Sequence, residues 1–303
     1  MRYLVSIDSG GSKTALCVLD RETGRRMNCV SGSGNYKSKG LDTVKSNLLD
    51  GFHQLGIEPS EAAFTALGTA GCDAEADRLV YRELLGEIGI PADRLFVCND
   101  AEFIFRALAD APGICLIAGT GSIGFSFERN GTVHRVGGWG APLSDNGSGY
   151  WIGAALIRAF LDRVDGLRED DPAFRMLEQR YPAEWTIADI AAKASEFSAS
   201  EVASLARGVL ERGETDTLCG EIAETAAAKL ADIVEGAYRA ASFEAENDIT
   251  IVLSGSLFKN AYFRGLVQKT VSIRLKSGSY AYVHSAGSPA EDGLKLAEKL
   301  ACD

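Results

Sequence analysis

The sequence predicts an α/β protein of two lobes, each built on a mixed β-sheet flanked by helices. Three observations indicate this fold class. The chain has 303 residues, which is enough for two lobes of ordinary domain size. Short apolar runs alternate with helical patterns, as in mixed sheets that carry helices on both faces. A series of strand, glycine turn, strand, turn and strand occurs twice, about 110 residues apart, and such repetition indicates two related halves.

The expected division of the chain follows this repeat. We expect an N-terminal lobe over residues 1–110 and a C-terminal lobe over residues 111–303, because the second series of strands begins just after the boundary. Within the C-terminal lobe, a stretch from about residue 150 to 245 is rich in Ala, Glu and Arg and has helical spacing, so it is expected to be a helical insertion. Alternating strands and helices then resume.

Local patterns predict the individual elements. Apolar runs of strand length, rich in β-branched and aromatic residues, predict strands, whereas apolar residues spaced three or four apart predict helices. The first half is expected to contain strands at 3–7, 15–19, 26–31, 64–68 and 95–98 and helices at 41–55, 74–88 and 101–109. The second half is expected to contain strands at 114–118, 125–129, 133–136, 249–253 and 280–283 and helices at 220–239, from 259 and from 289.

Composition excludes several classes of function. The net charge of −11 would repel nucleic-acid phosphates, which argues against nucleic acid as the main partner. No stretch approaches the roughly 20 apolar residues that cross a bilayer, and the N-terminus predicts a strand rather than a signal peptide. Seven cysteines without a C-x-x-C pair indicate reduced, mostly buried thiols in a cytoplasmic protein. Three histidines far apart in sequence offer little for a histidine metal site or a Ser-His-Asp triad.

Two glycine turns between strands are candidate phosphate sites. The first follows Asp8 and comprises Gly10, Gly11, Ser12, Lys13 and Thr14; the second comprises Gly119, Thr120, Gly121 and Ser122. Glycines bring backbone amides close to phosphate oxygens, and a carboxylate at a strand end can hold Mg²⁺ through waters. An ordinary tight hairpin would explain either turn alone. The matched pair could grip one polyphosphate from both sides.

Asp100 is the candidate catalytic base. Asn99 and Asp100 lie at the end of a predicted strand and the start of a helix. An Asp at this position is a common helix cap, but active sites of α/β proteins also collect at this edge of a sheet. Phosphoryl transfer to an alcohol needs a group that orients the hydroxyl and accepts its proton.

Two further glycine-rich segments suggest ligand sites. Residues 137–153 contain six glycines, two tryptophans, an Asp and an Asn. Aromatic faces suit the C–H surface of a sugar, and Asp and Asn bind hydroxyls; a buried crossover with a core Trp is the alternative. The turn at Ser254-Gly255-Ser256 would present a flat backbone surface to an adenine.

Taken in order, these motifs resemble the BadF/BadG/BcrA/BcrD ATPase family, and within it the N-acetylglucosamine kinase and glucosamine kinase branch. The resemblance covers essentially the whole chain and extends to the superfamily that includes hexokinase and actin. It implies two ribonuclease-H-like, actin-like ATPase lobes with ATP and Mg²⁺ in the cleft between them. It also suggests a homodimer whose contact face lies in the helical insertion.

The resemblance implies a role for each motif. Asp8 would bind Mg²⁺, and Asp100 would activate the 6-hydroxyl of an amino sugar. ATP would be bound by Gly10, Gly11, Ser12, Lys13, Thr14, Gly119, Thr120, Gly121, Gly255 and Ser256. The sugar would be bound by Asn35, Asp100, Thr120, Gly138, Trp139 and Asp145.

The sequence departs from this branch at two places, which leaves alternatives open. The kinases usually have Glu where this chain has Asn146, and a second glycine where it has Ser256. N-acetylglucosamine is the first expected acceptor, with glucosamine or another hexose as the alternative. An ATPase that activates a radical dehydratase would need closely placed cluster-binding cysteines, which the spacing does not offer. A non-catalytic sugar sensor would be expected to carry a DNA-binding region, and no helix-turn-helix precedes the first strand.

Overall fold

The computed structural model describes residues 1–72, 74–110, 112–243, 248–275, 280–285 and 287–302. Its strands are β1 (Tyr3–Ser9), β2 (Thr14–Asp20), β3 (Arg26–Ser31), β4 (Ala62–Thr69), β5 (Leu95–Asn99), β6 (Gly113–Ala118), β7 (Ser122–Phe127), β8 (Val133–Gly137), β9 (Ile249–Ser254) and β10 (Tyr280–His284). Its helices are α1 (Tyr36–Lys39), α2 (Leu41–Leu55), α3 (Glu75–Glu87), α4 (Asp100–Leu108), α5 (Gly149–Val164), α6 (Arg175–Glu178), α7 (Ile187–Ala194), α8 (Ala199–Ser204), α9 (Ala206–Arg212), α10 (Thr217–Ala240), α11 (Ala261–Arg274) and α12 (Pro289–Leu300).

The chain forms two compact units, one of Met1–Asp110 with Ser285–Asp303 and the other of Ala111–His284. The first sheet has the order β3-β2-β1-β4-β5 and the second the order β10-β9-β6-β7-β8. In each sheet, the first three strands in sequence pair antiparallel and the last two are parallel to the first. The predicted repeat and the predicted fold class, two mixed sheets flanked by helices, are therefore confirmed.

In the first unit, β1 is buried on both faces because helices cover both faces of the sheet. Side chains alternate along a strand. Val5 and Ile7 therefore enter a core with residues of α2 and α3, whereas Leu4 enters a second core with residues of α4 and α12. This double coverage explains why β1 is a nearly continuous apolar run.

The position of the last helix, α12, differs from the expected division of the chain at residues 110 and 111. The sequence assigned residues 285–303 to the C-terminal lobe because they follow its last strand. In the structure α12 packs against β1 and α4, and Leu294 and Ala297 join the core of the first unit. The apolar face of α12 predicts that the helix is buried, but it carries no information about which sheet covers it.

In the second unit, α5 to α10 separate β8 from β9. This is the region in which the sequence predicts a helical insertion, and Pro182 lies between α6 and α7 as a break. The longest helix, α10, packs against β6, β7, β8 and α11, and its N-cap residue Asp216 accepts a hydrogen bond from the N–H of Cys219 at 2.9 Å. None of the described helices combines the length and apolar character needed to span a bilayer.

The seven cysteines all lie within the described residues, and none is joined in a disulfide. Five are buried, Cys29 is half-buried and Cys302 is exposed, which confirms the expectation of mostly buried thiols. Burial raises the pKa of Cys98 well above its ordinary value and that of Cys219 to about 12. Such thiols remain protonated at neutral pH and are poor nucleophiles.

Candidate active site

The first glycine turn joins β1 and β2. The Gly10 N–H donates to the carbonyl of Lys13 at 2.8 Å, which closes the turn. The hydroxyls of Ser9 and Thr14 are buried and share a hydrogen bond of 3.0 Å. Residues 11–13 are exposed. The Thr14 hydroxyl thus faces the interior and holds the base of the turn, while the predicted phosphate-binding residues 11–13 face solvent.

Asn35 lies next to this turn. The N–H of Gly34 donates to the carbonyl of Gly10 at 3.1 Å, and a Cβ added at Gly34 would lie 1.6 Å from Ser9 Oγ. Only glycine allows this approach. Asn35 follows as the N-cap of α1, accepting a hydrogen bond from the N–H of Lys37 at 3.0 Å. The predicted sugar-binding amide is therefore placed beside the predicted phosphate turn.

Asp8 and Asp100 belong to the same edge of the first sheet. Asp8 is near the carboxyl end of β1, and Asp100 begins α4 directly after β5; β4 lies between these parallel strands. The side chain of Asn99 caps α4 by accepting from the N–H of Ala101 at 2.8 Å, and Asp100 Oδ1 accepts from the same N–H at 2.9 Å. Asp100 is therefore oriented by the first turn of the helix that it begins.

The two carboxylates influence each other electrostatically. Burial and then the negative charge of Asp100 raise the pKa of Asp8 to about 6, against the opposing effect of Lys13. The structure thus brings together three residues that the sequence predicts to act on phosphate, metal and acceptor.

The donor set at Asp8 and Asp100 fits Mg²⁺. Mg²⁺ prefers oxygen ligands and is usually bound by one or two carboxylates together with substrate phosphates. Burial and the nearby charge of Asp100 oppose the ionisation of Asp8, and a divalent cation would stabilise the ionised carboxylate. Among the residues that the structure describes, no group of three or more His, Cys, Asp or Glu side chains could hold a metal. A cation here would therefore need phosphate or water ligands as well.

The second glycine turn joins β6 and β7 and receives the start of α5. The Gly119 N–H donates to the carbonyl of Gly121 at 2.9 Å. In return, the carbonyls of Gly119 and Thr120 accept from the N–H groups of Gly149 and Tyr150 at 2.8 and 3.0 Å. A Cβ added at Gly149 would lie 2.9 Å from the oxygen of Gly119, so glycine is needed for this contact. Sequence reasoning placed Gly149 in the glycine-rich block without assigning it this role.

Asp145 connects the glycine-rich loop to the second turn. It has a left-handed backbone, with φ of 58°, and its Oδ1 accepts from the Gly140 N–H at 3.2 Å. A Cβ added at Gly121 would lie 2.6 Å from Asp145 Oδ2. These residues surround an open cavity of about 340 Å³, lined by Ile117, Gly119, Thr120, Gly121, Ser122, Ile123, Gly138, Gly140 and Asp145.

Trp139 occupies the same loop but faces solvent. Its side chain is 78% exposed, and the wall of the cavity is formed by its neighbours Gly138 and Gly140. The guanidinium carbon of Arg135 lies 4.6 Å from the centroid of the Trp139 ring. Trp139 is thus an exposed aromatic surface at the rim of the cavity, and not the buried core Trp that the sequence left open as an alternative.

The turn after β9 approaches the second glycine turn. Gly255 has φ of 108°, and a Cβ added there would lie 2.2 Å from the oxygen of Ala118, so this position requires glycine. Ser256 Oγ lies 3.7 Å from the position of a Cβ at Gly119. The structure therefore brings together two segments, separated by more than a hundred residues, that the sequence predicts to bind ATP.

A cavity of about 770 Å³ opens at this junction. Besides Gly119, Thr120, Gly149 and Ser256, it is lined by residues that sequence reasoning missed: Ser200, Ala203, Ser204, Ala206, Arg207, Leu210, Glu211, Leu257, Lys259 and Asn260. Arg207 donates to Glu211 at 2.8 Å, four residues further on in α9. A pair at this spacing is typical of any exposed helix, so no local signal distinguishes this wall from ordinary surface.

Comparison with known proteins agrees with this architecture. The sequence profile of the BadF/BadG/BcrA/BcrD ATPase family matches residues 5–288. The N-acetylmuramic acid/N-acetylglucosamine kinase of Clostridium acetobutylicum is 33% identical over 170 residues, covering 54% of this chain and 55% of that protein. The N-acetyl-D-glucosamine kinase of Dictyostelium discoideum is 30% identical over 174 residues, covering 53% and 54%. The chain thus spans about half the length of the curated relatives that it matches.

Solved structures show the same fold. A crystal structure named for an N-acetylglucosamine kinase of Chromobacterium violaceum has a TM-score of 0.69 at 24% identity, covering 98% of this chain and 99% of that chain. A ROK family glucokinase of Streptomyces griseus, in complex with glucose and AMPPNP, has a TM-score of 0.57 at 16% identity, covering 98% of both chains. Because the family profile matches nearly the whole chain, the protein is a member of the BadF/BadG/BcrA/BcrD ATPase family.

Proposed function

We propose that the protein is an ATP-dependent kinase that transfers the γ-phosphoryl group to the 6-hydroxyl of an amino sugar, with N-acetylglucosamine as the first candidate. The observation that carries this proposal is the pair of Asp8 and Asp100 at one edge of the first sheet, beside a glycine turn that exposes Lys13. The names of the related kinases of Clostridium acetobutylicum and Dictyostelium discoideum support a sugar as the acceptor.

In this proposal Asp100 is the catalytic base. The sugar oxygen attacks the γ-phosphorus, its proton passes to the Asp100 carboxylate, and the bond to the oxygen bridging the β- and γ-phosphorus breaks to release ADP. The first turn of α4 orients the carboxylate through the N–H of Ala101. Because Asp100 is held in place before the reaction, little reorganisation is needed when the proton moves.

Asp8 and Lys13 act on the phosphates in this proposal. Mg²⁺ held by Asp8 and the phosphates would neutralise the charge that develops during transfer. Lys13 and the backbone amides of residues 11–13 would bind the outer phosphates. Thr14, whose hydroxyl is bonded to Ser9, would hold the turn in shape and would not contact phosphate through its side chain.

The second unit would bind the nucleotide and part of the sugar. The cavity of about 770 Å³ is within the usual range for small-molecule sites, and Gly255, Ser256 and Gly119 would border the adenosine. In the cavity of about 340 Å³, Thr120 and Asp145 would bind sugar hydroxyls. Trp139 would present its ring to the sugar at the rim.

Assembly as a homodimer remains a prediction from the family resemblance, and a cytoplasmic location remains a prediction from the cysteine pattern. Size-exclusion chromatography with light scattering would test the assembly, and a molar mass equal to the 32.2 kDa of one chain would contradict it.

The decisive test is a coupled ADP-release assay with Mg-ATP and a panel of sugars. The panel contains N-acetylglucosamine, glucosamine, N-acetylmannosamine, N-acetylmuramic acid, glucose and no sugar. ADP release that depends on one amino sugar, with the phosphate located on the 6-position by NMR, would support the proposal. Release without sugar would favour an ATPase activator. Bound ATP with no release across the panel would favour a sugar sensor.

A further inference from the structure

Arg135, on the edge strand β8, holds the segment that carries Trp139. Its Nε donates to the carbonyl of Gly137 at 3.3 Å, and its Nη2 donates to the carbonyl of Gly138 at 2.5 Å. Its guanidinium carbon also lies 4.6 Å from the centroid of the Trp139 ring. One side chain therefore makes three contacts to three consecutive residues.

These contacts hold Trp139 in place at a point where the backbone has much conformational freedom. Gly137 and Gly138 both have left-handed φ, 75° and 71°, and glycine gives little conformational preference of its own. An indole that is 78% exposed lacks the packing that would hold it. The planar guanidinium of Arg135 binds both glycine carbonyls and stacks on the ring. It would therefore restrict the backbone of this segment and the Trp139 side chain together.

We propose that Arg135 is a positioning residue for the acceptor sugar, which rests on the function proposed above. An indole has two faces, and Arg135 covers one of them. The other face is left for the C–H surface of the sugar at the rim of the cavity lined by Gly138, Gly140 and Asp145. Arg135 thereby selects which face of Trp139 meets the substrate, and it does so without contacting the reacting atoms.

The planar guanidinium is essential to this role. Arg presents several donors in a rigid fork and stacks flat on aromatic rings, whereas Lys carries a compact charge on a flexible stem. A lysine at position 135 keeps the charge but cannot stack on Trp139 while donating to both glycine carbonyls. The alternative role for Arg135, an electrostatic attraction that needs only positive charge, predicts that lysine would restore function.

The test compares Arg135→Ala and Arg135→Lys with the parent enzyme, using the sugar that supports ADP release. We expect both substitutions to raise the sugar KM about two- to fivefold, the range of a cation–π contact at an exposed site. The kcat and the KM for ATP should change less than about twofold, because the base and the phosphate sites are intact. Arg129→Ala is the matched control: it removes an exposed arginine from the turn between β7 and β8 and should change none of these constants.

A double-mutant cycle with Trp139→Ala tests the proposed route of action. If Arg135 acts through Trp139, Arg135→Ala should have no further effect on the sugar KM once the ring is absent. Sugar titrations monitored by tryptophan emission should show the same weakening in Arg135→Ala as the kinetics. An unchanged sugar KM in Arg135→Ala, its restoration by lysine, or an equal effect with and without Trp139 would overturn the inference while leaving the kinase proposal intact. A parent protein inactive with every sugar would instead overturn the proposed function.

Discussion

Asp8 and Asp100 carry the chemistry of the candidate site at the scale of single residues. Their negative charges oppose each other, and burial adds to the cost of ionising Asp8, whose pKa is raised to about 6. Carboxylates arranged in this way are typical of functional sites, because a protein under no functional demand has little reason to keep them together. Substitution of Asp8 is therefore expected to lower activity and to raise the stability of the fold.

Replacing Asp100 with Asn should remove catalysis and leave nucleotide binding. The amide has nearly the same shape, but it cannot accept the hydroxyl proton, so kcat should fall by about two to four orders of magnitude. The affinity for ATP, measured by calorimetry, should be unchanged or higher, since one negative charge near the phosphates is removed. Asp93→Asn, at an exposed position, is the control and should keep full activity. An Asp100→Asn enzyme with most of its turnover would contradict the assigned role.

Replacing Asp8 with Asn should stabilise the fold while abolishing activity. The folded protein binds a proton at Asp8 more tightly than the unfolded chain, because the pKa rises from 3.8 to about 6. The free energy of unfolding therefore decreases as the pH rises through this interval. At pH 7.5 the neutral amide avoids a penalty on the order of 1 to 3 kcal/mol.

Thermal melts without Mg²⁺ provide the measurement for Asp8→Asn. We expect a Tm several degrees above that of the parent at pH 7.5 and a smaller difference at pH 5, where Asp8 of the parent is mostly protonated. A lower Tm for Asp8→Asn at pH 7.5, or a difference that grows towards pH 5, would show that the carboxylate is favourably paired in the fold.

At the scale of elements, α12 depends on a glycine for its contact with the first sheet. A Cβ added at Gly293 would lie 2.1 Å from Phe103 Cζ and 2.3 Å from Ser6 Oγ. Both neighbours are fully buried, and a packed interior cannot shift to accept an extra methyl group without strain. The close approach of α12 is what allows it to cover both β1 and α4.

Gly293→Ala should therefore lower the free energy of unfolding by about 1 to 3 kcal/mol. Gly265→Ala in α11 is the matched control, because the same change at that exposed position meets no atom within 4 Å. There the greater helix propensity of alanine should raise stability by about 0.5 to 1 kcal/mol. Urea denaturation of both variants measures the difference. Equal effects of the two substitutions would argue against the tight packing of α12.

At the scale of the whole molecule, the two ends of the chain belong to one compact unit. Residues 285–303 return to the unit that begins at Met1, and α12 supplies Leu294, Leu296 and Ala297 to the core against β1 and α4. The second unit is a single segment of chain. The stability of the first unit should therefore depend on residues 285–303, although they follow the second unit in the chain.

Deleting residues 285–303 should unfold the first unit selectively. Hydrogen exchange should show lost protection in β1 and β4, whose apolar surface is no longer covered, while β6 and β9 retain theirs. Deleting only residues 301–303 is the control, because Ala301 and Cys302 are exposed, and it should leave exchange unchanged. Equal loss of protection in both units after the longer deletion would indicate that they unfold together.

The sequence by itself determined the features that depend on near neighbours in the chain. Short apolar runs marked the strands, and glycines marked the turns at residues 10–14 and 119–122. The repeated strand series predicted two sheets of the same kind. Asp8 and Asp100 could each be placed at the end of a predicted strand, whereas their position at the same edge of one sheet follows from the parallel pairing of β1, β4 and β5 in the structure. The family resemblance then supplied roles that the pattern alone left open.

Tertiary structure decided the features that join distant segments. Several of these features have no local signal in the sequence. They are the sheet that α12 covers, the approach of Ser256 to Gly119, the wall that α8 and α9 form beside these two residues, and the stacking of Arg135 on Trp139. An apolar helix face shows that a helix must be covered, but the identity of its cover depends on the path of the whole chain. Contact between residues far apart in sequence is fixed only when complete surfaces pack together, because many different partners satisfy the same local pattern.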